Sequence, residues 1–139
     1  MNAKELARIL ESSPYWSLLG LKIRKLEEGF AELYLPFKPE LEQVFSVMHG
    51  GAVASLLDAA GAVAFFKQMD LASETISTVE LKINYLNPVT IDQEEITATG
   101  KVIKKGRKIG VSTIEVKNKS SEIVAIGIGT YALLPRSAG

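Results

Sequence analysis

Residues 50–66 read GGAVASLLDAAGAVAFF, and the fold turns on what this stretch is. Asp58 is its only charge, and Lys67 and Gln68 end the run. A bilayer span needs about 20 apolar residues, and a carboxylate at its centre costs roughly 3 kcal/mol. The run falls short of that length and carries its acid in the middle, so no membrane span is expected. A helix that is apolar nearly all round is instead a central helix buried by its own protein.

The flanks of this helix read as strands. Leu21 to Leu26 and Phe30 to Leu35 are separated by the turn Glu27-Glu28-Gly29. From Ile76 to Leu86 the chain alternates, with Val79, Leu81, Ile83 and Tyr85 on one face. Thr78, Glu80, Lys82 and Asn84 fall on the other, so parity turns the Thr78 hydroxyl away from the apolar face. Asn87-Pro88 closes that strand. Three more strands are expected at Glu94 to Lys104, Ile109 to Lys117 and Glu122 to Leu134, with turns at Gly106 and Asn118. Two strands, one long buried helix and four strands make an α+β fold. Its antiparallel sheet, of five to six strands, has one face covered by the helix.

Composition narrows the function. The 139 residues fit one domain spanning 1–139, with no linker, repeat or low-complexity tract. There are 16 basic and 16 acidic residues, and this balance argues against a nucleic-acid partner. The chain has no cysteine, which excludes disulfides and thiolate zinc sites. His49 is the only histidine, so Ser-His catalysis would have to use it. The N-terminal MNAKELARILESS is amphipathic with mixed charge and lacks the apolar core of a signal peptide, so a cytoplasmic location is expected.

Asp58 is the most informative residue. An ionised carboxylate in an apolar helix is costly unless paired or hydrogen-bonded. Its neighbours at helical spacing are Ala54, Ser55, Gly61 and Ala62, with Gly51 two turns back, all small. Such a strip admits either a second backbone or a slender ligand. Asp58 is then either a structural group in a helix contact or a general base or nucleophile in a dry slot. His49-Gly50-Gly51 precedes the helix. Helix N-termini expose unpaired amides, and glycine lets a substrate oxygen come close to them, as in an oxyanion hole. Nine residues separate His49 from Asp58, about 13 Å along a helix axis and on roughly opposite faces. If the amides and Asp58 act on one substrate, two chains must share the site, with their helices antiparallel in a symmetric dimer.

The order strand, strand, HGGAVASLLDAAGAVAF, then STVELKINYLNPV resembles the hotdog-fold acyl-CoA thioesterases, specifically the PaaI-type (phenylacetic acid degradation) group. The resemblance runs from Tyr15-Trp16-Ser17-Leu18-Leu19-Gly20 to the last strand. It is carried most specifically by HGG with an aspartate nine residues after the histidine. It implies a long helix wrapped by an antiparallel sheet, homodimers that share active sites, and often dimers of dimers. It implies an acyl-CoA substrate, with Asp58 as general base or nucleophile. The amide of Gly50 or Gly51 from the other protomer then polarises the thioester carbonyl beside His49. By the same resemblance Gln43 orients the thioester, Ser46 lies among the substrate-binding residues, and Thr78 positions the attacking water. Relatives often carry asparagine and glycine where this chain has Gln43 and Ser46, so the reach of the amide differs.

Lys101, Lys104, Lys105, Arg107 and Lys108 crowd the turn at Gly106. They suit either a solvated hairpin that guards a sheet edge or a grip for the phosphates of coenzyme A. In the family, residues near this turn often line the nucleotide site. The combined expectation is hydrolysis of a small, aromatic or medium-chain acyl-CoA, with no metal or redox cofactor. The alternative is a non-catalytic acyl-CoA-binding protein of the same fold. A hotdog dehydratase would need a histidine after Asp58, and there is none.

Overall fold

The computed structural model describes residues 1–137. Its elements are α1 (Ala3–Glu11), α2 (Pro14–Leu19), β1 (Lys22–Glu27), β2 (Phe30–Pro36), α3 (Gly50–Val63), β3 (Glu74–Tyr85), β4 (Glu95–Lys105), β5 (Ile109–Asn118) and β6 (Ile123–Pro135). The six strands form one antiparallel sheet in the order β1-β2-β4-β5-β6-β3. Helix α3 lies across one face of this sheet, which makes the architecture the expected hotdog arrangement of sheet around helix. The stretch Gly50–Gln68 has the length and apolarity of a membrane span, yet half of that window is buried inside the fold.

Alternation explains the packing. Ala31, Leu33 and Leu35 of β2, Ile96 and Ala98 of β4, and Ile114 and Val116 of β5 point at the helix and are almost wholly buried. They meet Val53, Leu56, Leu57 and Ala60 of α3. Each fully buried Leu or Val here contributes about 2 kcal/mol of transfer free energy. The helix also comes unusually close to the sheet. A Cβ at Gly100 would lie 2.3 Å from the Ala60 carbonyl oxygen, and one at Gly110 would lie 2.4 Å from the Phe65 ring. Glycine in these strands is therefore a packing device.

Helix α3 is not buried all round. Gly51, Ala54, Ser55, Asp58, Ala59 and Ala62 form a stripe that this chain's own sheet leaves partly open. Gly61 departs from the expected strip. It is buried beneath Tyr131 and Ser112, on the sheet side.

Two further features differ from the sequence reading. Residues 14–19, which show no strand alternation, form the short helix α2. Pro14 starts it, and Gly20, at φ 90°, ends it in the left-handed region that favours glycine. Strand β3 also carries a bulge. Thr78 pairs with Tyr131 and Glu80 with Thr130, which leaves Val79 without a partner on β6. The extra residue breaks the parity of the strand. Thr78 consequently shares the face of Tyr131 and Leu81 and turns toward α3, not away from it as strict alternation predicts. Val79 is 59% exposed, so it leaves the apolar face on which alternation put it.

Candidate active site

Asp58 sits midway along α3, half-buried, on the open stripe. The hydroxyl of Thr78 donates to its Oδ1 at 2.9 Å. The β3 bulge is what makes this contact possible. Behind the carboxylate, Tyr131 donates its hydroxyl to the Asp58 backbone carbonyl at 3.1 Å, and Ser112 donates to the Gly61 carbonyl at 3.1 Å. The Tyr131 hydroxyl occupies a niche that exists because positions 61 and 129 are glycine. A Cβ at either would approach it within 2.4 Å. Burial, and after it the nearby Asp58 charge, push the Tyr131 pKa well above the ordinary phenol value. Tyr131 and Ser112 escape sequence reading because their partners are carbonyls of α3, which strand register alone brings to them.

The N-terminus of α3 is organised by His49. Its Nδ1 accepts the Gly51 amide at 2.8 Å, so the histidine is the helix cap. The Ala52 and Val53 amides reach the His49 carbonyl. The Gly50 amide has no partner among the described residues. Of the two glycine amides that the sequence offers, Gly51 is thus already engaged and Gly50 is the free donor. Tyr85, at the end of β3, donates to the Gly50 carbonyl at 2.9 Å and packs its ring against Gly50.

Gln43 and Ser46 lie in the tight loop before His49, which is closed by Gln43 N–H to the Val47 carbonyl at 2.8 Å. The Gln43 side-chain oxygen accepts the Phe45 amide, and its NH₂ group has no partner among the described residues. Ser46 has φ 63°, in the left-handed region that favours glycine. Val44 and Phe45 at the tip are 90% and 82% exposed.

A cleft of about 450 Å³ opens beside Asp58, within the range of small-molecule sites. Ser55, Asp58 and Thr78 line its polar end; Trp16, Ala62 and Phe66 are among the residues of its apolar walls. The structure therefore brings Asp58, Thr78 and this cleft together. It holds Gly50, Gly51, His49, Gln43 and Ser46 at the far end of the helix. Lys104, Lys105, Arg107 and Lys108 stand apart again, exposed on the β4–β5 hairpin, with no acidic partner among the described residues. No group of three or more His, Asp or Glu side chains able to hold a metal converges among the described residues.

The chemistry of such a site is acyl transfer to water. It offers a carboxylate steered by a hydroxyl at an apolar slot, with the free Gly50 amide at the other end of the same helix. Comparison with known proteins agrees. The family model of the thioesterase superfamily matches residues 45–125. A putative esterase of Saccharolobus solfataricus is 34% identical over 119 residues, covering 86% of this chain and 82% of its own length. The medium/long-chain acyl-CoA thioesterase YigI of Escherichia coli is 29% identical over 132 residues, covering 85% of this chain and 84% of its own. Among solved structures, the E. coli PaaI protein from the phenylacetic acid degradation operon superposes with a TM-score of 0.81 at 26% identity, covering 98% of this chain and 93% of PaaI. The chain belongs to the thioesterase superfamily, as a PaaI-like thioester hydrolase of hotdog fold.

Proposed function

We propose that this protein is an acyl-CoA thioesterase, that its substrates carry small, aromatic or medium-length acyl groups, and that its active site is completed by a second copy of the chain. The observation that carries this reading is the Thr78–Asp58 hydrogen bond at the mouth of the apolar cleft. With Oδ1 held by Thr78, Oδ2 is the oxygen available to a water molecule. Asp58 takes a proton from that water as its oxygen attacks the thioester carbonyl. The oxyanion that forms is met by the Gly50 amide of the partner subunit, with the free NH₂ of Gln43 beside it. Collapse breaks the carbon–sulfur bond, Asp58 returns the proton to sulfur, and the products are a carboxylic acid and free coenzyme A. His49 serves by capping α3 and so fixing the Gly50 amide. The exposed bases Lys104, Lys105, Arg107 and Lys108 suit the phosphates of coenzyme A.

Thiol release from acetyl-, phenylacetyl-, hexanoyl-, decanoyl- and palmitoyl-CoA tests the reading. The unchanged protein is expected to hydrolyse at least one of them. Asp58→Asn should lower kcat by at least about a thousandfold, with unchanged circular dichroism. Undiminished hydrolysis by Asp58→Asn would remove the mechanism. Binding without any thiol release would favour a non-catalytic acyl-CoA carrier.

A further inference from the structure

The cleft beside Asp58 has two ends of different chemistry. Ser55, Asp58 and Thr78 supply all its polar side chains but one, and they cluster at one end. From there the floor follows α3 through Ala59 and Ala62 and ends on Phe66, in the short 3-10 turn Phe66–Gln68 just beyond the helix, and the roof is Trp16 with Leu10. Eight residues separate Asp58 from Phe66, and because Ala64 and Phe65 keep helical backbone angles the span is about 12 Å. That is the reach of a medium-length hydrocarbon, well beyond a two-carbon acyl group.

The remaining polar group is the Tyr15 hydroxyl, and it belongs to the roof. It hydrogen-bonds Ser55 Oγ at 2.7 Å, and Ser55 donates in turn to the Gly51 carbonyl at 2.8 Å. Helix α2, which carries Tyr15 and Trp16, has no buried residue. Its one side-chain hydrogen bond to the central helix is the one from Tyr15 to Ser55, one turn before Asp58. Trp16 and Leu19 pack α2 onto the core and Lys38 Nζ donates to the Leu18 carbonyl at 2.7 Å, while the Tyr15–Ser55 latch and the Trp16 ring fix the roof where it lies above Ala59 and Ala62.

We infer that α2 is the specificity element of the enzyme. The acyl chain runs from Asp58 along Ala59 and Ala62 beneath Trp16, Phe66 ends the channel, and the Tyr15–Ser55 hydrogen bond sets its depth. This inference rests on thioester hydrolysis at Asp58. A channel of this kind makes kcat/KM rise about fourfold per added methylene until the chain reaches Phe66, and no further beyond it. The rise should lie mostly in KM, since the buried methylenes are held equally in ground and transition states.

The test is kcat/KM on straight-chain acyl-CoAs from acetyl to palmitoyl for the unchanged enzyme and for Ala62→Leu, Trp16→Ala and Tyr15→Phe. Ala62→Leu fills the floor and is expected to lower the decanoyl-to-butyryl ratio by at least about tenfold. Trp16→Ala opens the roof and should move the preferred length upward. It supplies an independent answer if the larger side chain at position 62 impairs folding. Tyr15→Phe keeps the ring but cuts the latch, and should flatten the dependence of KM on length. Ser55→Ala combined with Tyr15→Phe should add nothing further to that flattening. Length profiles that stay within twofold of the unchanged enzyme in all these variants would overturn the inference while leaving hydrolysis at Asp58 intact. Failure of the unchanged enzyme to hydrolyse any of the thioesters would overturn the thioesterase reading itself, and this inference with it.

Discussion

Asp58 is positioned through its side chain by Thr78 and through its backbone by Tyr131, from two neighbouring strands. The second contact has a cost in alkaline solution that the first does not share. Tyr131 is fully buried, and burial together with the Asp58 charge holds its phenol protonated beyond the ordinary range. In the unfolded chain the same phenol loses its proton near pH 10. A raised folded-state pKa gives stability that is complete below that pH. Above it the unfolded chain alone releases the proton, so stability falls by up to about 1.4 kcal/mol per pH unit. Tyr131→Phe should cost about 1 kcal/mol near neutrality, from the lost hydrogen bond to the Asp58 carbonyl. In return it should remove this part of the alkaline decline. Urea unfolding of both proteins between about pH 8 and 11 checks the sign: the two stabilities should converge as pH rises. Parallel curves would show that the phenol does not titrate differently in the folded protein.

At the scale of elements, the close seating of α3 on the sheet decides where Asp58 stands, and Gly100 controls that seating. A Cβ there would meet two backbone atoms of Ala60, at 2.3 and 2.7 Å, and backbone cannot turn aside as a side chain can. Gly100→Ala should therefore cost about 3 kcal/mol, at the upper end for overpacking, and lower kcat by displacing the helix. Thermal unfolding together with thiol-release kinetics measures both, and a neutral effect would mean that the helix is free to shift. The elements themselves were legible. Periodicity located all six strands to within two residues and α3 to within three, because a helix that is apolar nearly all round and strands that alternate leave little choice. Three features were not legible, each for a physical reason. The Val79 bulge depends on the register with β6, which a single strand does not encode, so parity sent Thr78 to the wrong face. The choice between Gly50 and Gly51 depends on which amide the His49 ring engages. Helix α2 did carry signals in Ser13-Pro14 and Gly20, but six residues are too few for a hydrophobic period to declare itself.

For the whole molecule, the proposed mechanism requires the Gly50 amide and the Asp58 carboxylate to act on one carbonyl although they stand apart on the same helix. Strand β3 supplies the geometry. It is one of the two edge strands of the sheet, twelve residues long, with one side paired to β6 and the other free. Thr78, toward one end, touches Asp58, and Tyr85, at the other, touches Gly50. If two copies pair β3 with β3 antiparallel, a two-fold axis between Leu81 and Lys82 sets Thr78 opposite Tyr85 of the partner subunit. Each Asp58 then faces Gly50 of the partner subunit, and two equal sites arise. This arrangement predicts complementation between variants that are inactive alone. Gly50→Pro is the suitable partner for Asp58→Asn. Gly50 is the first residue of α3, where proline fits a helix, and His49 at φ −58° and ψ 134° has the extended backbone that proline prefers before it. The exchange deletes the free amide with little strain. Co-expression of the two variants should give heterodimers in which one site has lost both groups and the other has kept both. With random pairing about a quarter of the unchanged activity returns. Each variant expressed by itself should remain inactive, and simple mixing without subunit exchange should restore nothing. No recovery in heterodimers purified through two different tags would mean that Asp58 and Gly50 do not act together across an interface, and that the amide facing the carbonyl comes from elsewhere.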